Sequence, residues 1–444
     1  MTLMKSLLLG SAAAFVVVAG AQAADLPTKK GAPAAEYVKI CKVGGIAGFV
    51  IPGTDTCLKI NGEVNFQISG GNVNKQYAYP GAAVSAAKYR DDMGWYGRGE
   101  VDFTAVTNTA YGPLLSYIGV RENMGAGLDT PGGFNGSSQA TQSYWAYAYI
   151  QWAGLTAGYH RSFYDFIGGG NTWKDIFSPD HNGDQGVGQL AYTATFGGGF
   201  AATIAIQQPQ NDDSFVSSSM GAYTNLGTRA PDIVAALDLT QSWGAVHLAG
   251  VAHDIRAEGA LLGASDVDKW GFGVIGGLQF NLPQLGAGDL VQLQAAYADG
   301  ATSYSGVGSP GWSEGDHGFN PNGNGTIFPM ADGVFDPVTG SFKTAQSWTV
   351  AGQGTFHLTP NFAIDPEAAY GTIKYNSAAA ADWGISRSGY GWLVGGVFDW
   401  TPVKNLDFAL DVMYLSSHQD KVLGTMTPDN ADGVNFRLHV IRDF

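Results

Sequence analysis

"CKVGGIAGFVIPGTDTCLKINGEVNFQIS", residues 41–69, holds both cysteines of the 444-residue chain, Cys41 and Cys57, and then a strict alternation. Leu58, Ile60, Val64, Phe66 and Ile68 are apolar, while Lys59, Asn61, Glu63, Asn65, Gln67 and Ser69 are polar. Side chains of a β-strand point to opposite faces in turn, so a period of two predicts a strand with one apolar and one polar face. The same period recurs elsewhere. In "RGEVDFTAV" (98–106), Val101, Phe103 and Ala105 oppose Arg98, Glu100, Asp102 and Thr104. In "WTVAGQGTFHL" (348–358), Trp348, Val350, Phe356 and Leu358 oppose Thr349, Gln353 and His357. In "LDFALDVMYL" (406–415), Leu406, Phe408, Leu410 and Val412 oppose Asp407 and Asp411.

Sixteen segments carry this signal: 57–69, 94–107, 111–122, 141–152, 154–161, 187–196, 199–208, 229–240, 243–255, 268–281, 288–299, 346–358, 361–376, 388–400, 404–416 and 434–443. Tight polar or glycine turns join several of them: 108–109, 153–154, 197–198, 242–244 and 401–403. Long Gly/Pro/Asn/Asp-rich stretches join the others, the longest being 300–345 with "GFNPNGNG" (318–325). Short turns at one end and long loops at the other is the pattern of outer-membrane barrels. Trp and Tyr cluster near strand ends, at Trp95, Tyr96, Trp152, Trp243, Trp270, Trp348, Trp392 and Trp400, as interfacial girdles do. A β-sandwich would also alternate, and the girdle-like clusters favour the barrel over it. A β-helix would show a short repeat, and none is found.

Composition agrees. Glycine is 64 of 444 residues, about twice the usual share of roughly 7%. Charged residues are 14%, against an ordinary ~25%, while aromatics reach 12%. The formal charge of −15 argues against nucleic-acid binding, which needs a basic patch. Lys5, the apolar run 6–20 and the small-residue site Ala21–Ala23 read as a secretory signal peptide, cleaved before Ala24. An exported chain can keep disulfides, and two cysteines allow one pairing, Cys41–Cys57. Neither a CxxC nor clustered histidines appear, so no metal and no cofactor is expected. The organisation that follows is a signal peptide (1–23), a periplasmic segment with the disulfide loop (24–56) and one barrel domain (57–444).

Three signals are set aside. "GFGVIG" (271–276) matches GxGxxG but lies inside a strand with no helix after it. The eight histidines are scattered, and sequence neighbours such as His253 and Asp254 make no dyad, so no enzyme is expected. Glu314, Asp316, Asp332 and Asp336 read as solvated loop acids rather than a cation site.

The chain closely resembles the alpha-proteobacterial porins of rhizobia and their relatives. The resemblance rests on "AADLP" (23–27), "IPGTDTCLKI" (51–60), "AYAYIQWAGLTAGYHRSFYDF" (146–166) and a terminal strand "VNFRLHVIRDF" (434–444) that ends on Phe444. It implies a 16-stranded antiparallel transmembrane β-barrel of the bacterial outer membrane, usually a homotrimer, with an inward-folded third external loop. Its expected surroundings are outer-membrane lipid and lipopolysaccharide, and the barrel-assembly machinery would read Phe444 as a signal. Its expected traffic is small hydrophilic solutes and ions.

The same resemblance puts the constriction loop after the fifth strand, at 162–185, with Asp165, Lys174, Asp175, Asp180 and Asp184. Strand parity offers Lys59, Glu63, Arg98, Glu100, Asp102 and Arg121 as the pore wall, with Lys59, Arg98 and Arg121 a basic cluster facing the loop acids. The acid surplus implies mild cation selectivity. The alternatives are a solute-specific channel, for a sugar or an ion, with Tyr147, Tyr149 and Tyr159 as an aromatic wall, or a barrel that anchors the envelope.

Overall fold

The computed structural model describes residues 38–71, 93–127, 136–167, 186–209, 215–216, 223–225, 229–259, 266–307, 332–336, 341–376, 387–420 and 430–444. The compact unit is Cys41–Phe444. Its framework is sixteen antiparallel strands: β1 Cys57–Gly71, β2 Met93–Thr109, β3 Gly112–Gly127, β4 Gly136–Trp152, β5 Leu155–His160, β6 Val187–Gly197, β7 Phe200–Gln207, β8 Asp232–Gln241, β9 Gly244–Gly259, β10 Val267–Asn281, β11 Leu290–Asp299, β12 Gln346–Thr359, β13 Phe362–Lys374, β14 Ser388–Val403, β15 Leu406–Gln419 and β16 Asn430–Asp443. Each pairs with the next in the chain, and β16 returns to β1 over Asn435↔Gly71 to Asp443↔Glu63. The ring is closed, so it presents no unpaired edge.

Every expected strand is present. β14 runs on to Val403 through a register shift after Trp400. The turn expected at 401–403 therefore falls at Lys404–Asn405, with Asn405 at φ 62. Both ends of the chain's ring are tied at the short-turn end. Two short strands, Ile40–Val43 and Ile46–Val50, precede β1, and Val50 pairs with Cys57. The expected Cys41–Cys57 disulfide joins the first of them to the start of β1. Phe444 exchanges two backbone hydrogen bonds with Gly62, 3.0 and 3.2 Å. Gly62 is needed there, because a Cβ would stand 2.2 Å from the Glu100 carbonyl oxygen and 2.8 Å from the Phe444 ring. Arg442, on the outer face, donates to the Asn405 carbonyl (2.9 Å) at the neighbouring turn, where a long cation can leave the apolar zone.

Burial is inverted relative to a water-soluble fold. On β1, Val64 is 57% exposed and Phe66 45%, while Glu63 is 4% and Gln67 1%. Exposing a large apolar side chain to water forfeits about 1.5–3 kcal/mol, and the outer face repeats that exposure on every strand. Such a surface is stable against hydrocarbon. In hydrocarbon every backbone group must also be bonded internally, which a closed ladder achieves. The outer face carries aromatic contacts near the long-loop end, Trp348–Tyr370–Tyr390–His418, with ring centroids 5.3, 5.9 and 5.0 Å apart.

Candidate functional site

The polar strand faces meet inside the ring, and they differ from one arc to the other. On β1–β3, cross-strand register sets Glu63 opposite Glu100 and Glu100 opposite Arg121, with Asn65, Arg98 and Asn123 in the next row. Arg121 Nε lies 2.5 Å from Glu100 Oε2. Arg98 Nη1 lies 3.9 Å from Glu63 Oε1, its Nε donates to Asn123 Oδ1 (3.1 Å), and it covers the Tyr96 ring at 5.6 Å. Asp102 accepts from Asn61 Nδ2 (2.8 Å) and Tyr117 OH (2.6 Å). Between β15 and β16, Arg437 reaches Asp411 at 2.6 Å. Asp365 and Glu367 of β13 are also buried on this face.

The arc from β6 to β11 is different. Its interior positions include Ala191, Ala205, Val234, Ala236, Ala249, Val251, Ile275, Ala296 and Ala298, all buried. Small apolar side chains facing an aqueous lumen would gain nothing, so something must cover them. Two loops do. The root of the third loop, 161–167, lays Phe163, Tyr164 and Phe166 on this patch. The first turn of the sixth loop, a 3₁₀ helix over Thr302–Ser305, adds Tyr304. Polar groups in the patch are aimed at the loops: Gln294 Oε1 accepts from Ile167 N (3.0 Å), and His247 Nε2 meets the Tyr164 carbonyl at 3.1 Å. Burial, and after it nearby Asp165, pushes the Tyr164 phenol well above the ordinary tyrosine range. Burial and then Asp232 do the same to Tyr304. Both phenols therefore stay neutral hydrogen-bond donors at physiological pH.

The expected wall residues Glu63, Arg98, Glu100, Asp102 and Arg121 all face the interior and are buried. Lys59 shares their face but is exposed near the short-turn end. Arg98 and Arg121, expected as part of a basic cluster, each have a carboxylate of their own wall beside them, Glu63 and Glu100, brought there by cross-strand register. Asp165 is buried at the loop root. Lys174, Asp175, Asp180 and Asp184 lie outside the described residues. His160 stacks on Phe163 (5.5 Å), and the adjacent Arg161 donates to the Phe166 carbonyl (3.0 Å), so both serve the loop root. Tyr159 points outward, half exposed. Asp332, read as a solvated loop acid, is 3% exposed and accepts from Thr302 N (2.7 Å) and Thr302 Oγ1 (3.0 Å). Sequence reading missed Tyr304 and the apolar arc; the run of alanines at alternate positions of β6–β11 was the available signal.

The family described as "Porin subfamily" matches residues 25–437. The porin Omp2b of Brucella neotomae is 30% identical over 404 residues, covering 86% of this chain and 97% of that protein. Omp2b of Brucella abortus (strain 2308) is 30% identical over 399 residues, with the same coverage of each. Among solved structures, the outer membrane channel DcaP of Acinetobacter baumannii superposes with a TM-score of 0.60 at 17% identity, covering 90% of this chain and 100% of that one.

Proposed function

Because the chain belongs to the porin subfamily, we propose that its closed ring works as a selective eyelet and not merely as a hole. The protein is an outer-membrane porin, a passive diffusion channel, and is not an enzyme. The inverted burial carries this reading: an apolar belt faces lipid while carboxylates, guanidiniums and amides face the lumen. Sixteen strands enclose more width than inward side chains can fill.

The finer reading concerns selectivity. The third loop narrows the lumen, Asp165, Lys174, Asp175, Asp180 and Asp184 belong to that constriction, and Lys59, Glu63, Arg98, Glu100, Asp102 and Arg121 form the facing wall. Transport is mildly cation-selective. The support is the buried charge: among the described residues ten carboxylates, Glu63, Glu100, Asp102, Asp165, Asp232, Asp289, Asp332, Asp365, Glu367 and Asp411, stand against three arginines, Arg98, Arg121 and Arg437. A low-dielectric wall focuses such an imbalance across the pore. Reversal potential under a KCl gradient tests it, with Asp165→Asn plus Asp175→Asn beside the parent. Cation preference should fade as the Debye length falls from ~10 Å at 0.1 M to ~3 Å at 1 M, and the double variant should weaken it. An anion-selective parent, or an unchanged double variant, ends the reading.

A sugar-specific slide is disfavoured by ring geometry. Tyr159 points outward, and Tyr149 stacks on Tyr117 (5.2 Å, 16° between planes) with the His160 ring perpendicular to it at 4.6 Å, so two of the three expected rings are turned away or already engaged. The chain assembles as a homotrimer. Glu122 supports this: it stands between Val120 and Met124 on the outer face, where a carboxylate suits a protein neighbour better than lipid. Cross-linking to dimers only, or to nothing, would refute it. Residues 1–23 act as signal peptide, 24–56 as periplasmic segment, and Phe444 as the signal for the assembly machinery. Deleting Phe444 should lower outer-membrane levels while refolding in detergent stays normal.

A further inference from the structure

The "GFGVIG" stretch, set aside as a nucleotide motif, has a structural use on the lumen face of β10. A Cβ at Gly277 would stand 2.1 Å from the Phe166 ring of the third loop. A Cβ at Gly273 would stand 2.8 Å from Tyr304 Cβ of the sixth loop and 3.0 Å from the Tyr164 hydroxyl of the third. A Cβ at Gly271 would stand 1.9 Å from the carbonyl oxygen of Gly300, where the sixth loop leaves β11. None of these three glycines has a positive φ. They are glycine because loop atoms occupy the place of a side chain.

The two loops also hold each other. Tyr164 OH donates to the Tyr304 carbonyl (2.9 Å), and the two rings meet edge to face at 5.0 Å. Tyr304 OH donates to Asp232 Oδ2 (2.5 Å) and accepts from Gln207 Nε2 (2.8 Å). Gln207 Oε1 in turn accepts from Ser162 Oγ, at the start of the third loop (2.8 Å). His253 lies between Asp232 (2.8 Å) and Asp332 (3.5 Å), and Asp332 binds Thr302. Beyond Tyr304 the sixth loop stays inside: Ser305 Oγ donates to Ser347 Oγ (2.8 Å), and Thr349 Oγ1 donates to the Ser305 carbonyl. A Cβ at Gly371 of β13 would stand 3.1 Å from Val307 Cγ2.

We propose that the constriction is built from two loops rather than one, with Gly273 and Gly277 as the wall socket and Tyr304 as the positioning residue that clamps the third loop in place. This rests on the reading of the third loop as the constriction. A single loop root of seven residues bonded only to the wall could swing. The inward turn of the sixth loop closes over it and removes that freedom, while adding its own bulk along β11–β13. A methyl at Gly277 meets Phe166, and one at Gly273 meets Tyr304 and Tyr164 first and then the Val251 side chain (3.1 Å), with no backbone atom among the nearest contacts of either, so each displaces the loops and spares the ladder.

The test compares Gly273→Ala, Gly277→Ala and Tyr304→Phe with the parent, as whole proteins in planar lipid bilayers. Single-channel conductance is read beside heat-modifiable electrophoretic mobility, which reports an intact barrel. Both glycine variants should conduct roughly twofold more than the parent and with noisier open levels, as the narrowest section loosens. Tyr304→Phe keeps the ring but loses its bonds to Asp232 and Gln207, so it should fold like the parent and show the noise with a smaller gain. Parent-like conductance and noise in all three intact barrels would overturn the proposal. A gain in Gly277→Ala alone would remove the sixth loop from it. Failure of the underlying reading looks different: the socket variants would change conductance while the loop-acid variants left the reversal potential where it was.

Discussion

The two interior arcs of the barrel solve the same problem in opposite ways. From β13 through β16 to β3, the lumen face is charged, and partners are supplied by neighbouring strands: Arg121 with Glu100, Arg98 with Glu63, Arg437 with Asp411. From β6 to β11, the lumen face is alanine-rich and is covered by Phe163, Tyr164, Phe166 and Tyr304 from two loops. A charged wall pairs its own groups across neighbouring strands, so its burial needs no loop side chain to satisfy them. An alanine wall has none to pair, so it recruits the roots of two loops. On the proposed reading, the asymmetry of the eyelet starts in which strands carry small apolar residues.

The sharpest way to break this comparison is to make the alanine arc resemble the charged one. Ala249 is 3% exposed beneath the loop roots. Ala249→Asp would place an unpaired carboxylate there, at a cost of about 3–5 kcal/mol to the packed arrangement. We predict that the loops lift: conductance rises, and protease reaches the third loop in folded barrels. Unchanged conductance together with unchanged protection would show that the loops do not depend on the patch.

Cys57→Ser sits at the short-turn end of β1, away from the ion pairs and the loop roots, and serves as their control. Losing the Cys41–Cys57 bridge, which spans 16 positions, should lower stability by ~3 kcal/mol on the chain-entropy account. Thermal unfolding should move down while conductance and selectivity stay at parent values. A changed conductance would mean that the disulfide hairpin also shapes the lumen.

The smallest effect on stability is expected in the charged arc. Arg121→Ala should cost about 1–2 kcal/mol, because Glu100 loses a charged hydrogen bond but water entering the space left by the guanidinium can replace part of it. Its electrical effect should be plain: with Glu100 uncompensated, reversal potential shifts toward cations. A shift toward anions would contradict the view that wall carboxylates set the field.

Much of this was legible in the chain. A strand's period of two is local, so all sixteen strands could be read from segments of about ten residues, Val64 and Phe66 outward and Glu63 and Gln67 inward included. Strand ends were less legible at Val403, because a bulge depends on the partner strand. Two cysteines in an exported chain left one disulfide to form. The ion pairs were not legible: Glu63 and Arg98, Glu100 and Arg121, or Asp411 and Arg437 meet only through cross-strand register, which depends on loop lengths between them. Arg98 and Arg121 looked like bare cations because their partners are set by that register.

What the sequence by itself determined is the alternation, and with it the barrel, its compartment and the sign of its charge. Only the tertiary structure decided where the loops go. The resemblance implied an inward third loop, but no residue of 161–167 names the surface it meets, and nothing in 300–307 says that the sixth loop folds inward. The apolar patch that draws them there exists only after β6 to β11 lie side by side, and the glycine socket for Phe166 and Tyr304 is a vacancy in one strand that matters only when loops from elsewhere in the chain reach it.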